Sequence, residues 1–276
     1  MKLQIKEVLE MEDKQCFSYM QKHGEELFAY MLKNVGSTDG ELRDELIYRL
    51  IVKLISGDFL ERELLIKAVE EIVSDRYLFA SIGEIESDTV FIRSFSSLWL
   101  TALLWKDKEQ PFLEDDLRKY AFEKSAMYLA KEMDTRGFVD GKGWAHSIAH
   151  GADLATMAVN HPSLELKLIP VILEGVSTCF WKGGVYTDDE DERLVSVVLS
   201  LVKQDYPEEV LVEWLEQIFD RLDRAASRMD GSPTFYHART NIMQFMKTLY
   251  FALMKANQAP RLRSDVSYFI QKWQRV

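Results

Sequence analysis

Apolar residues recur along this chain at three- and four-residue intervals. In "ELRDELIYRLIVKLI" (41–55), Leu42, Leu46, Ile47 and Leu50 form one stripe, the signature of an amphipathic helix with one buried face. No stretch alternates convincingly at period two, the pattern a half-buried strand requires. The same helical spacing predicts about eleven helices, with loops near 34–40, 80–88, 134–142, 182–189 and 229–233.

Helix starts have local signals as well. Thr38 with Glu41 and Asp58 with Glu61 fit the capping-box spacing, and Pro111, Pro162, Pro207 and Pro233 fall where a first turn loses little by lacking an N–H. Pro170, inside "LKLIPVILEGV", marks either a kink or a start. No stretch reads as an interdomain linker, so residues 1–276 are expected to form a single all-α domain.

Weak internal similarity refines that expectation. Residues 64–107 run parallel to 166–205, matching Val73-Ser74 with Val176-Ser177 and Arg93 with Arg193. After a further long helix in each half, "DGKGWAHSIAH" at 140 is echoed by "DGSPTFYHART" at 230, which pairs His146 with His237 and sets Asn241 opposite His150. The expected architecture is therefore stacked antiparallel helical hairpins, a HEAT-like or α/α repeat superhelix, duplicated as 64–160 and 166–255. Stacking of that kind buries a continuous core and leaves a concave face.

Composition narrows the functional classes. The 276 residues are 47% hydrophobic and 29% charged, as in a well-cored soluble protein. Cys16 and Cys179 form no metal or redox motif, so the cytoplasm is the expected compartment. The first residues, "MKLQIKEVLEMEDKQ", mix charge with apolar positions and do not read as a secretory signal. The longest uncharged run, "SFSSLWLTALLW", is about half the ~20 residues a membrane span needs and reads as a buried helix. A net charge of −11 disfavours duplex nucleic acid, although the chain from Arg221 onward carries +7 against −18 before it. That segment is expected to pack partly on the acidic remainder.

The chemistry-bearing candidates gather around "GWAHSIAHGADL" (143–154). On a helix, His150 lies about 40° from His146 and Asp153 about 20° on the other side, so the three share a face. Imidazoles in the first turns of a helix are favoured as neutral rings, able to ligate or to accept a hydrogen bond. As a metal site, His146, His150 and Asp153 would hold a divalent cation, but Ser147 stands where a HExxH peptidase has glutamate. As packing, the surrounding Ala145, Ala149, Gly151 and Ala152 fit a close helix crossing. The acidic run "TDDEDERL" (187–194) suits a helix N-terminus and lacks EF-hand spacing. Arg93, inside an apolar segment, must snorkel, pair with a carboxylate or line a cavity. There is no GxSxG elbow, Walker A loop or GxGxxG fingerprint.

Arg93-Ser94, the "EMDTRGFVDGKGWAHSIAHGADL" block from Glu132, the "DEDERL" block from Asp189 and "NIMQFMKTLYFAL" from Asn241 together resemble the bacterial family catalogued as domain of unknown function 2785. That resemblance spans roughly residues 60–255 and implies one all-α domain without implying an activity. Three functions follow as expectations. The first is a binding protein whose polar groove, lined by Arg93, His146, His150, Asp153, Glu192, Arg193, His237 and Asn241, takes a protein, a peptide or a small polar ligand. The others are a hydrolase using the histidines as metal ligands or general base, and a structural subunit whose polar cluster is buried. In the groove reading, His146, His150 and Arg193 share one cavity, the 187–192 loop forms its rim, and Asp153 orients a histidine.

Overall fold

The computed structural model describes residues 1–228 and 232–274. Among them are twelve α-helices: α1 (Lys2–Glu10), α2 (Asp13–Asn34), α3 (Arg49–Ser56), α4 (Arg62–Ile72), α5 (Thr89–Glu109), α6 (Asp115–Lys131), α7 (Ser147–Val159), α8 (Ile169–Cys179), α9 (Glu190–Lys203), α10 (Glu208–Ser227), α11 (Pro233–Ala256) and α12 (Pro260–Trp273). A π-helical segment, Glu41–Tyr48, runs straight into α3. One short antiparallel hairpin, β1 (Phe138–Val139) with β2 (Gly143–Trp144), interrupts the helices, with its first strand inside the expected 134–142 loop and its second just after it. The echoing Asp230-Gly231 turn lies outside the described residues.

Helices two apart in sequence pack together, α5 on α7, α7 on α9 and α9 on α11, while α6 packs on α8 and α10 on α12. Cross-contacts give the direction of the first row. Tyr48 meets Phe95 near one end of α3 and α5, and Asp58 meets Lys106 at the other. Ser94 meets His150 and Asp107 meets His161 along α5 and α7, and Asp153 meets Arg193 and Asn160 meets Ser200 along α7 and α9. Helices α3, α5, α7 and α9 are therefore parallel, and each intervening helix returns the chain to the starting end.

The core is continuous. Phe28, Trp99, Phe122 and Tyr128 belong to one apolar cluster and Leu129, Trp214, Phe245 and Phe219 to another, and the two meet across α6 and α7, which contribute to both. α7 approaches α6 closely because residue 151 has no side chain: a Cβ there would stand 2.6 Å from Tyr128 Cε1.

Several local expectations are corrected. Asp39 rather than Thr38 serves the turn before α3, accepting from the Leu42 amide at 3.0 Å. Asp58 sits at φ 59° and pairs with Lys106 (2.9 Å), and α4 begins later, after Glu61. As expected, Pro233 opens α11, and of the two readings of Pro170 the start holds, because it opens α8. Pro111 and Pro162 lie in the connections outside the helices. The basic C-terminal segment finds acid mainly nearby, with Lys272 on Asp223 (2.7 Å) and Arg261 on Glu209 (3.7 Å), while Arg221 stacks over Trp181.

Candidate functional site

The approach to α7 is fastened from α3's side of the fold. Arg43, the one charge on a stripe continued by Ile47, Leu50 and Leu54, is fully buried. Its guanidinium lies over Phe91 and Phe95, pairs with Asp44 (2.8 Å) and donates to the carbonyls of Lys142 (2.8 Å) and Trp144 (3.2 Å). These bonds hold β2 and aim residue 146 at the α7 entrance. The hairpin turns through Gly141 and Gly143, both at positive φ, and a Cβ at residue 143 would meet Asp44 and Arg43.

His146 precedes α7 in the left-handed conformation (φ 49°), an uncommon state for a residue with a Cβ. Trp144 stacks on its ring at 4.6 Å, and His146 Nε2–H donates to the Asp188 carbonyl at 2.6 Å, with Glu190 Oε1 at 3.7 Å. One turn on, the Ser94 hydroxyl donates to the Ala145 carbonyl, so its oxygen accepts from His150 Nδ1–H at 2.7 Å. That arrangement assigns the His150 tautomer. Burial pushes this imidazole down to about 3, and the neighbouring His146, Arg193 and Arg43 push the same way. His150 is therefore a neutral ring at any ordinary pH.

His146 and His150 lie together, with ring centroids 5.6 Å apart. Contrary to the expectation from sequence, Asp153 orients neither ring. Both of its oxygens accept from Arg193 Nη1, at 3.0 and 3.1 Å, because α9 packs parallel to α7 and brings the guanidinium alongside. Burial raises the Asp153 pKa, and the Arg193 charge opposes that rise. With Asp153 committed to Arg193, the expected metal set of His146, His150 and Asp153 does not converge. Among the described residues no group of three His, Cys, Asp or Glu side chains is arranged to hold an ion.

The remaining candidates are elsewhere. Arg93 is sealed in the core rather than lining a groove, in a two-pronged ion pair with Glu132 at 2.6 and 2.9 Å. Despite burial, Glu132 holds the guanidinium pKa above its usual value. Asn241 is also buried, where it accepts from the Tyr186 amide (3.0 Å) and donates to the Gly184 carbonyl (2.9 Å). His237 donates to the Gly183 carbonyl at 2.5 Å from a half-buried position. Together these two fasten the 183–186 loop. Glu192 points to solvent, and Glu190 is the acid that enters the cluster.

Below Asp153, the three parallel helices α3, α5 and α7 leave a groove of about 450 Å³. Tyr48, Val52 and Ser56 line one side, Leu98, Ala102 and Trp105 the floor, and Asp153, Thr156 and Asn160 the other side. Val52 and Trp105 are 40% and 39% exposed, so the groove presents apolar surface to solvent. Thr156 Oγ1 is buried without a hydrogen-bond partner. The sequence reading singled out Asp153 alone of these residues. The rest carry the same apolar periodicity as core positions, and only the packing of three helices shows which ones remain open.

The family model described as a protein of unknown function, DUF2785, matches residues 78–251. No curated protein and no solved structure matches the chain.

Proposed function

Because the chain belongs to the DUF2785 family, whose description carries no activity, we propose from geometry that it is a helical-repeat binding protein of HEAT-like architecture, using the groove between α3, α5 and α7. The carrying observation is that groove: apolar on its floor, bounded by the partly exposed Val52 and Trp105, and ended by the Asp153–Arg193 pair. A site of this size with few polar groups at defined places is what a small ligand or a short peptide segment requires. The order of the helices, α4 to α7 followed by α8 to α11, supports the repeat reading and a duplication of 64–160 as 166–255. Two buried free cysteines accord with a reducing cytoplasm.

The histidine cluster beside the groove has a second role in this reading, as packing that fixes the α5–α7 crossing. The support is the His150 bond to Ser94 and its depth in the structure.

Titration with the neutral apolar dye N-phenyl-1-naphthylamine tests the groove. Saturable one-to-one fluorescence is expected, lost in Ala102→Trp, which fills the floor, and weakened in Trp105→Ala, with helical circular dichroism retained. Equal binding to wild type and the filled variant, or no saturable binding at all, would refute the reading.

A further inference from the structure

We infer that the groove takes a medium-chain carboxylic acid, its chain lying along α5 and its carboxylate held by Arg193. The inference rests on the proposed binding role and specifies what that role recognises.

The groove has a long axis and a chemical direction. Its three sides are parallel helices in register: Tyr48, Leu98 and Asp153 stand at one end, and Ser56, Trp105 and Asn160 at the other. Seven residues separate Leu98 from Trp105, so the length is about 10 Å at about 1.5 Å per residue. Between the ends the lining is mainly apolar, from Val52, Ile55, Ala102 and Met157; of the two threonines there, Thr101 gives its hydroxyl to the Ser97 carbonyl (2.8 Å), and the Thr156 hydroxyl is the one side-chain polar group left over. An extended apolar chain fits that interval better than a compact polar molecule.

Charge is confined to one end. Arg193 and Asp153 pair there, but the pair leaves the two partners unequal. Both Asp153 oxygens are occupied, and both by the same donor, Nη1. The Nε and Nη2 donors of Arg193 have no protein partner among the described residues, and its side chain is 53% exposed. Nε and Nη2 form one edge of the planar guanidinium, which binds a carboxylate through two parallel hydrogen bonds. The free charge-assisted capacity is thus a donor edge, and a carboxylate matches it. An ammonium would have to compete with Arg193 for Asp153. Tyr48, whose phenol stays protonated because burial and the nearby Asp153 raise its pKa, adds an uncharged hydroxyl at the same end.

Calorimetric titration of the full-length protein with octanoate, hexanoate, 1-octanol and octylamine tests the assignment. Octanoate should bind one-to-one and about tenfold more tightly than octanol. The step from hexanoate to octanoate should tighten binding about fourfold per methylene, the factor that about 0.8 kcal/mol represents. Arg193→Gln should remove the octanoate advantage and leave octanol unchanged. Arg193→Lys, which keeps a charge beside Asp153, should retain part of the advantage and guards against a folding defect in the glutamine variant. Equal affinities for octanoate and octanol in the wild type, tighter binding of octylamine, or an octanoate advantage over octanol that survives Arg193→Gln would overturn the carboxylate assignment while the groove itself stood. Absence of octanoate binding in the presence of saturable dye binding would overturn it too. Loss of every ligand, dye included, would instead remove the groove reading beneath it.

Discussion

Protonation of His150 should set much of the acid sensitivity of this fold. In the folded protein its imidazole is pushed down to about 3 from an ordinary value of 6.5, through burial first and then the adjacent His146, Arg193 and Arg43. The unfolded chain therefore binds a proton at this position below pH 6.5 that the folded chain refuses until about pH 3. Stability consequently rises with pH across that window and is fully present above it. At pH 5.0 the contribution lost relative to neutrality is about 2 kcal/mol, taking about 1.4 kcal/mol per pH unit for one proton. The His150→Asn variant keeps an N–H able to reach Ser94 but has no titrating group. Urea unfolding of both proteins at pH 7.5 and 5.0 isolates the term, since every other carboxylate and histidine cancels in the comparison. Wild type should lose about 2 kcal/mol more than the variant between the two conditions. Equal losses would mean that the folded ring accepts a proton freely, and the assignment of a neutral imidazole bonded to Ser94 would fall.

Two further substitutions probe the packing around that cluster. Glu132→Gln strands the buried Arg93 charge and should cost about 3–5 kcal/mol in urea unfolding, with much of the loss recovered when Arg93→Met is added; a cost below 1 kcal/mol would show that water reaches the pair. Gly151→Ala places a methyl 2.6 Å from Tyr128, and the resulting shift should cost about 1–3 kcal/mol despite the gain in helix propensity of about 1 kcal/mol; a raised melting temperature would show that α6 and α7 separate easily.

Periodicity made the all-helical fold legible because each helix buries one face, and that face recurs in the sequence whatever it packs against. Helix boundaries were less legible. The amides before α3 are served by Asp39, and Asp58 is drawn off by Lys106, a residue 48 positions away. For the site, the HxxxH spacing placed His146 and His150 side by side, but His146 precedes α7 in the left-handed conformation, so the meeting of the two rings also depends on the hairpin that leads into the helix. The partner of Asp153 was not decided locally, because Arg193 arrives from α9 through tertiary packing. Arg93 announced its need for a carboxylate by lying in an apolar helix, yet nothing local selected Glu132 from the many acids available. Arg43 had a readable signal, one cation on the stripe of Ile47, Leu50 and Leu54, and its burial follows that pattern.

The parallel course of α3, α5 and α7 makes the groove electrically asymmetric. Peptide dipoles aligned in three neighbouring helices add, and they leave partial positive charge toward the starts of the helices and partial negative charge toward their ends. The returning helices, which carry the opposite sense, contribute no residue to the lining of the groove. Ser56, Trp105 and Asn160 lie at or near the ends of the three helices, where the partial negative charge is concentrated, while Leu98 and Asp153 lie about midway along α5 and α7. A ligand with one anionic end would therefore be oriented before it touched Arg193, entering head-first toward the helix starts. The same molecule reversed would meet both an opposing field and no cation.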